Sequence, residues 1–409
     1  MEGSIFSNRV ILSIGLLLAS TAYILYTGII INHVKFGPGN SAEGMNLNIF
    51  TDKITTAMTI SHVLTKEKRK ISTSSCPDWS TSPLKMNLNG YFYGTEEFYK
   101  KSTCSDIATS RGPHQHVVSF SFYGNVKNRR GYFKGIEENA KLVKKYYPNW
   151  TMRLYHDIKP IDIKQDSNKI FSAYNESIPT NHSTSNEEKL GANMENKNGS
   201  IHETLHEILC HLMHAHSNLD LCYVGNIPSL GNLLGSQGNM WRFLPMADPL
   251  VDVFISRDLD SRPSEREVAA VNDWLNSNLT FHIMRDHPFH TPKILAGMWG
   301  AVVYPKREEL FNLTLTMMAK GRKAKSKGLD QIVLKEVLWP AAKESLKQHD
   351  SYHCKIFGKD RKVDAWPSRR NINEPYNFVG ARIGVDVRPM QKACPLQCRP
   401  PKAKHWVYC

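Results

Sequence analysis

Acidic residues are in short supply in this 409-residue sequence: 38 Asp and Glu stand against 52 Lys and Arg, and the formal net charge is +14 at pH 7. An excess of this size favours partners that carry phosphates, acidic glycans or an anionic membrane surface. A basic cluster at residues 320–328, KGRKAKSKG, contains no aromatic residue. Because platforms for single-stranded nucleic acid interleave basic and aromatic side chains, this absence argues against nucleic acid as a partner.

Two other absences narrow the class of protein. The sequence shows no internal repeat, which excludes a repeat-array architecture. It also lacks the H-E-x-x-H zinc motif, because His211 follows His206 one position too late for that spacing. We therefore interpret the histidine-rich segment at residues 202–216 as a polar helix face and not as a zinc site.

Charged residues are missing altogether from residues 10–34, where 25 consecutive positions carry no Lys, Arg, Asp or Glu. A run of that length can cross a hydrocarbon layer of about 30 Å, which predicts a transmembrane helix. A cleaved signal peptide is the alternative, but its apolar region is typically about 7–15 residues. We expect a retained signal-anchor, with residues 1–9 as a short cytoplasmic tail.

Two kinds of residue after this run indicate a secretory compartment. All eight cysteines follow it, and an even number fits disulfides in an oxidising lumen. Asn-x-Ser/Thr acceptors for N-glycosylation also follow it, at Asn149, Asn175, Asn181, Asn198, Asn278 and Asn312. These features predict a type II, single-pass membrane protein of the Golgi or endoplasmic reticulum, with its catalytic domain in the lumen.

The composition divides the remaining chain into four parts. Residues 35–114 are polar and weakly periodic, which is typical of a stem. We place the catalytic domain at residues 115–380, with a solvated insertion rich in Asn, Ser, Lys and Glu at 159–200. Residues 381–409 are then a C-terminal tail that contains cysteines.

Alternating strand and helix patterns in the catalytic domain predict an α/β fold. HVVSFSFYGN at residues 116–125 has the pattern of a strand, and an amphipathic helix and a second strand follow within about forty residues. Such a strand-helix-strand unit predicts a parallel crossover. The strand VDVFIS at residues 251–256 comes later and leads into two acids.

Asp258 and Asp260 follow that strand and are separated by one leucine. If strand geometry continues through Leu259, both side chains point to one side. Ligands of open α/β sheets bind beyond the carboxyl ends of strands, where paired carboxylates can hold a hard divalent ion against a diphosphate. We therefore predict Mg²⁺ or Mn²⁺ at these acids, with Arg257 and Arg262 offsetting charge; the alternative is a solvated turn with acid-base pairs.

Four sequence blocks resemble the metal-dependent GT-A glycosyltransferases over residues 117–380, about two-thirds of the chain. They are RDLDSR at 257–262, REVAAVNDWL at 266–275, FHIMRDHPFH at 281–290 and ILAGMWG at 294–300. The resemblance implies a GT-A-like, Rossmann-type mixed sheet with flanking helices. It also implies a nucleotide-sugar donor held through Mn²⁺ or Mg²⁺.

Two downstream segments are similar to elements of glycogenin-like GT-A enzymes. GLDQIVLKEVLWP places Asp330 and Gln331 at the start of a predicted helix. The resemblance implies that Asp330 is a catalytic residue in contact with the donor or acceptor sugar and that Gln331 binds the substrate. HDSYHC follows at residues 349–354, and the resemblance implies His349 or His353 as a third metal ligand. The alternatives are a simple helix N-cap for Asp330 and ordinary surface histidines.

The segment MRDHPFH, residues 284–290, combines three chemically active residue types. Arg285 is a candidate for a bidentate phosphate contact, and Asp286 or His287 for a general base toward an acceptor hydroxyl. Trp299, in the block that follows, is a candidate for stacking on a sugar face. The alternative is a tight proline-containing loop whose polar side chains bond the backbone.

These predictions combine into a type II membrane glycosyltransferase. It would transfer a sugar from a nucleotide-diphosphate donor to a glycan, glycoprotein or glycolipid acceptor. A metal-dependent phosphoester hydrolase is one alternative, although the additional Asp and His ligands that hold two ions are sparse. A non-catalytic, glycan-binding protein on a GT-A-like scaffold is the other, because fold does not settle function.

Overall fold

A seven-stranded sheet organises the chain in the computed structural model, which describes residues 98–124, 126–159, 205–323, 326–359 and 362–409. Its order is β3-β2-β1-β4-β6-β5-β7, and β6 runs antiparallel to its neighbours β4 and β5 while the other pairs are parallel. The strands are β1 Gln115–Phe122, β2 Thr151–His156, β3 Leu219–Tyr223, β4 Val251–Arg257, β5 Phe281–Arg285, β6 Met298–Val302 and β7 Leu346–Asp350.

Helices connect and flank these strands. The longest lies between β1 and β2, so the predicted parallel crossover is confirmed. The α-helices are α1 Asp106–Ser110, α2 Val126–Tyr146, α3 Leu205–Ala215, α4 Glu265–Leu275, α5 Arg307–Lys323, α6 Leu329–Val333, α7 Trp339–Ala342 and α8 Cys354–Phe357. A 3₁₀ helix at Gly238–Ala247 precedes β4, and a π-helical turn at Leu334–Leu338 joins α6 to α7. This mixed α/β architecture fits the GT-A-like fold that the sequence predicts.

Both faces of the sheet are buried. In β4, Phe254 belongs to one hydrophobic cluster, whereas Val253 and Ile255 belong to another. Val117 and Val118 of β1 divide between the same two clusters. Because successive side chains of a strand point to opposite faces, the sheet has a separate core on each side.

The arrangement of β1 creates a crevice at one edge of the sheet. β1 pairs with β2 on one side and with β4 on the other, so the connections leave it in opposite directions. The adjacent loops separate at such a switch point, and open α/β sheets bind ligands there, beyond the carboxyl ends of the strands. β4 ends at this edge immediately before Asp258.

The ordered domain starts earlier than the predicted boundary at residue 115. Cys104 forms a disulfide with Cys222 of β3. The backbone N–H of Thr103 donates to Asp248 at 2.7 Å, and the buried Arg153 donates to the same carboxylate at 2.6 Å. Part of the predicted stem therefore packs against the sheet. The predicted span at residues 10–34 and most of the predicted insertion lie outside the described residues, and none of the described helices is long and apolar enough to cross a membrane.

The segment predicted as a C-terminal tail is built into the same domain. Disulfides join Cys354 to Cys398 and Cys394 to Cys409. Nη2 of Arg266, on α4, donates to the carbonyl oxygen of the fully buried Cys409 at 2.7 Å. Residues 381–409 are therefore fixed against the core and do not form a separate tail.

Asp286 is a buried connection point between the end of β5 and the chain that follows β7. Its carboxylate accepts hydrogen bonds from Arg266 at 2.7 Å, Arg370 at 2.6 Å, Ser351 Oγ at 2.6 Å and the backbone N–H of Val379 at 2.9 Å. Burial alone would raise the pKa of Asp286, but the two guanidinium groups outweigh it and lower this pKa to about 2. The acid therefore remains ionised and fully paired.

We expect Arg370→Met to destabilise the domain by about 3 kcal/mol, because it leaves the buried Asp286 carboxylate undercompensated. Urea unfolding at pH 7 measures this loss. Arg369→Met is the matched control, because Arg369 is exposed and its replacement should stay within about 0.5 kcal/mol. Equal unfolding midpoints for the two variants would contradict this role of Asp286.

A second polar network is buried between β5, β7 and α4. His282 Nε2 lies 2.8 Å from His349 Nδ1, and His349 Nε2 lies 3.0 Å from the Asp273 carboxylate. The His282 ring also stacks on Trp274. Burial lowers the pKa of His282 well below its usual value, and burial also lowers the pKa of His349 although Asp273 opposes the shift.

These shifts predict that stability falls as the pH drops below about 6.5. The unfolded chain binds protons on these histidines near that pH, whereas the folded chain does not, so the unfolded state gains up to about 1.4 kcal/mol per pH unit for each group. Unfolding measured between pH 7.5 and pH 5.5 should show this slope, and His282→Phe should reduce it. The exposed His405→Phe should leave the slope unchanged; an unreduced slope in His282→Phe would exclude the network as its source.

Candidate active site

A cleft of about 970 Å³ lies beyond the carboxyl ends of β1, β4 and β5. The loops that follow these three strands supply Tyr123, the acid pair and His287 respectively. The walls are completed by the 3₁₀ helix, α2, α6 and the C-terminal segment, which contribute Arg242, Tyr132, Gln331, Phe378, Arg382 and Asp386.

Asp258 and Asp260 both line this cleft, although not for the reason that the sequence suggested. β4 ends at Arg257, and the backbone N–H of Ser261 bonds the carbonyl oxygen of Asp258 at 3.1 Å, which closes a turn. Leu259 is only 3% exposed and is buried in a hydrophobic cluster. The turn, with Leu259 as its apolar anchor, thus brings both acids to the cleft.

Arg242 is the counter-charge of the acidic wall, and the sequence reasoning missed it. Its guanidinium pairs with Asp258 through Nη1 and with Asp330 through Nη2, the latter at 3.0 Å. Its backbone N–H donates to Ser121 Oγ at the end of β1 at 2.9 Å, which fixes the 3₁₀ helix. Burial would lower the pKa of Arg242, but its two carboxylate partners raise it.

The cleft holds more negative charge than Arg242 neutralises. Burial raises the pKa of Asp260, and the nearby negative charge of Asp258 adds a smaller upward shift. Burial likewise raises the pKa of Asp330, although Arg242 opposes this shift. Arg382 also lines the cleft, but it pairs with Asp386 at 3.1 Å. Asp258, Asp260 and Asp330 thus place three carboxylates near one shared guanidinium, and this part of the cleft is acidic.

Gly297 leaves the space that the Asp258 carboxylate occupies. A Cβ at this position would lie 2.0 Å from Asp258 Oδ2. Arg257 fixes the backbone there, because its Nη1 donates to the carbonyl oxygen of Gly297 at 2.7 Å. Arg257 is itself buried and paired with Glu267 at 2.6 Å. Arg257 therefore supports the site from behind and does not meet a ligand, which corrects its predicted role.

The opposite wall is aromatic and carries imidazoles. His287, Phe289, His290 and Phe378 line it, and Phe289 is 82% exposed. His287 Nδ1 accepts the backbone N–H of Phe289 at 3.1 Å, and burial lowers the pKa of His287. A neutral imidazole with Nδ1 occupied carries its proton on Nε2, so His287 is arranged to donate a hydrogen bond. The predicted role as general base does not fit this tautomer.

Three other predicted ligand-binding residues are absent from the cleft wall. Arg262 pairs with Glu138 at 2.6 Å, and Arg285 is fully buried and pairs with Asp350 at 2.8 Å. Trp299 is 1% exposed and packs in the core, so it offers no face to a sugar. The two arginines therefore pair with acids of the domain, and the Trp299 ring packs in its core, so none of the three is placed to bind a ligand.

The predicted base Asp286 and the predicted third metal ligands have structural partners as well. Asp286 is fully buried in the network described above. His349 is buried between His282 and Asp273, and His353 Nε2 bonds the carbonyl oxygen of Pro288 at 2.9 Å. Within the described residues, no three His, Cys, Asp or Glu side chains group as a metal site.

Asp330 and Gln331 lie where α6 meets the cleft. Asp330 is buried against Arg242, and Gln331 lines the cleft. The Oε1 atom of Gln331 is buried and has no hydrogen-bond partner among the described residues.

Comparisons with known proteins give distant likenesses. No protein-family model matches the chain, and no curated protein matches it. One similar solved structure is a glycosyltransferase involved in the glycosylation of the major capsid of PBCV-1, with 10% identity, a TM-score of 0.28, and coverage of 61% of this chain and 88% of that one. Another is 4-diphosphocytidyl-2C-methyl-D-erythritol synthase from Anaerococcus prevotii, with 12% identity, a TM-score of 0.28, and coverage of 57% and 88%.

We expect Gly297→Ala to destabilise the domain by about 1–3 kcal/mol, because the new methyl group must displace Asp258 from Arg242. Gly235→Ala is the matched control, since a Cβ at Gly235 meets no atom within 4 Å. Chemical unfolding of both variants measures the difference. If Gly297→Ala is as stable as Gly235→Ala, the close approach to Asp258 is absent.

Proposed function

We propose that this protein is a metal-dependent glycosyltransferase that uses a nucleotide-diphosphate sugar. The observation that carries the proposal is the cluster of Asp258, Asp260 and Asp330 around Arg242, in a cleft at the switch point of a mixed α/β sheet. Such a cluster lacks positive charge, and a cation bound to a diphosphate supplies it. The acceptor would be a glycan, glycoprotein or glycolipid.

The acid pair fits Mg²⁺ or Mn²⁺. Both ions prefer oxygen ligands, and Mg²⁺ is commonly held by one or two carboxylates together with the phosphates of a substrate. Asp258 and Asp260 provide two carboxylates, and the Asp258 side chain is 46% exposed toward the cleft. When bound, the ion would neutralise charge that develops on the departing diphosphate.

The chain's own residues would position the donor around that charge. Arg242 holds Asp258 and Asp330 in fixed orientations, because one guanidinium bonds both. Gln331 lines the cleft next to Asp330 and would contact the sugar. The donor sugar would therefore lie beside α6, with the diphosphate nearer to the acid pair.

The aromatic wall would receive the acceptor. Phe289 exposes its ring at the cleft, and aromatic faces pack against the apolar faces of sugars. His287 would donate its Nε2 proton in a hydrogen bond to a substrate oxygen. Phe289 thus takes the stacking role that the sequence analysis gave to Trp299. His287 would act as a hydrogen-bond donor and not as the predicted general base.

The location in the cell also belongs to this proposal. Three disulfides are formed within the described residues, and disulfides persist in oxidising compartments. Together with the charge-free run at residues 10–34, they support a type II protein of the Golgi or endoplasmic reticulum. The cleft would then face the lumen.

We expect calorimetry with Mn²⁺ to detect a nucleoside diphosphate, chosen from a thermal-shift screen of nucleotide-sugars, bound to the wild-type domain. Asp258→Asn and Asp260→Asn should each weaken this binding at least tenfold, or about 1.4 kcal/mol, because each removes a charged oxygen ligand. Asp106→Asn is the control, since Asp106 is exposed on α1 and away from the cleft.

The same preparation separates the alternatives. A glycosyltransferase releases nucleotide from the sugar donor that it binds, a phosphoester hydrolase is indifferent to the sugar, and a glycan-binding protein releases nothing. Mn²⁺-dependent binding that survives in both acid variants would contradict the proposed function.

A further inference from the structure

In each of the three glycosylation motifs within the described residues, the asparagine is exposed and the threonine is buried. The asparagines Asn149, Asn278 and Asn312 are exposed residues. The threonine two positions later, which completes each motif, is buried in every case: Thr151 is 7% exposed, Thr280 is 8% exposed and Thr314 is fully buried.

These acceptors also share one edge of the sheet. Asn149 lies in the turn before β2 and Asn278 in the turn before β5, so both are at the amino ends of parallel strands. Asn312 is on α5, which starts just after the antiparallel β6 and whose first residue, Arg307, bonds the carbonyl oxygen of Val251 at the start of β4 at 2.6 Å. The cleft lies at the opposite edge.

We propose that Asn149, Asn278 and Asn312 carry N-linked oligosaccharides that are attached before the domain folds. The exposed amides leave room for a glycan on the folded domain, and their edge keeps the glycans away from the cleft. The buried threonines are out of reach of a transferase once the domain has folded. Thr314 is also bonded to the helix, because its Oγ1 donates to the carbonyl oxygen of Leu310 at 2.7 Å.

The modification needs a co-reactant that the secretory pathway supplies, a lipid-linked oligosaccharide diphosphate. The Asn side-chain nitrogen forms a bond to the anomeric carbon of the oligosaccharide, while the bond from that carbon to the diphosphate oxygen breaks. The lipid diphosphate leaves with the electron pair, and the nitrogen gives one proton to solvent. The oxidising compartment in which this occurs is the one that the disulfides indicate.

The test uses the full chain expressed in a eukaryotic cell with its own N-terminus. Peptide mass spectrometry after enzymatic deglycosylation in ¹⁸O-water marks each occupied asparagine as a labelled aspartate. We expect the label at all three positions. Asn278→Gln should remove one glycan, seen as one mobility step, whereas Asn276→Gln should remove none, because Asn276 is exposed in the same turn without an acceptor motif.

Two variants at Thr280 test the timing without touching the asparagine. Thr280→Ser keeps the motif and should keep the glycan on Asn278, and Thr280→Val should lose it. An unglycosylated chain, produced in bacteria and folded with its disulfides formed, should remain unmodified when it is offered to the microsomal transferase with its lipid-linked donor, while the same chain after reduction and unfolding is modified. Unlabelled peptides at all three positions would overturn the modification, and modification of the folded chain would overturn its timing. Neither result depends on the bound nucleotide.

Discussion

The sharing of one guanidinium among the acids of the cleft is the constraint on which the site depends. Arg242 is shared between Asp258 and Asp330, and the pKa values of Asp260 and Asp330 are raised by burial and by this crowding of like charge. Such a site is short of positive charge. A divalent ion and the diphosphate it binds would relieve the repulsion, which links the electrostatics of the fold to its proposed chemistry.

The number of hydrogen-bond partners separates Asp286 from the acids of the cleft. Asp286 has four donors and a pKa lowered to about 2, so nothing remains for a substrate to satisfy. Asp258 is half exposed with one guanidinium partner, and Gln331 has an orphaned oxygen. The Asp286 network fixes residues 370–379, and Phe378 of this stretch lines the cleft.

The sequence predicted β1, β2 and β4, and with β4 the place of the acid pair, because short-range periodicity is a local signal; it did not predict β5, β6 and β7. It failed where a residue's partner is distant in sequence. Trp299 and Arg285 have the residue types of a binding site, yet their burial depends on strands paired far along the chain. Arg242 had one usable signal, a lone charge in an otherwise apolar helical run. The C-terminal wall could not be predicted, since it depends on disulfides and on contacts across more than a hundred residues.

Electron paramagnetic resonance of Mn²⁺ tests the central claim most directly, because it reports the ligands of the ion itself. The protein is mixed with Mn²⁺ and a nucleoside diphosphate whose β-phosphate carries ¹⁷O. Simultaneous contact of the ion with the protein and the diphosphate predicts a protein-bound Mn²⁺ spectrum that is broadened by ¹⁷O and lost in the Asp258→Asn, Asp260→Asn double variant. A spectrum that matches Mn²⁺ and nucleotide free in solution, with or without the protein, would contradict it.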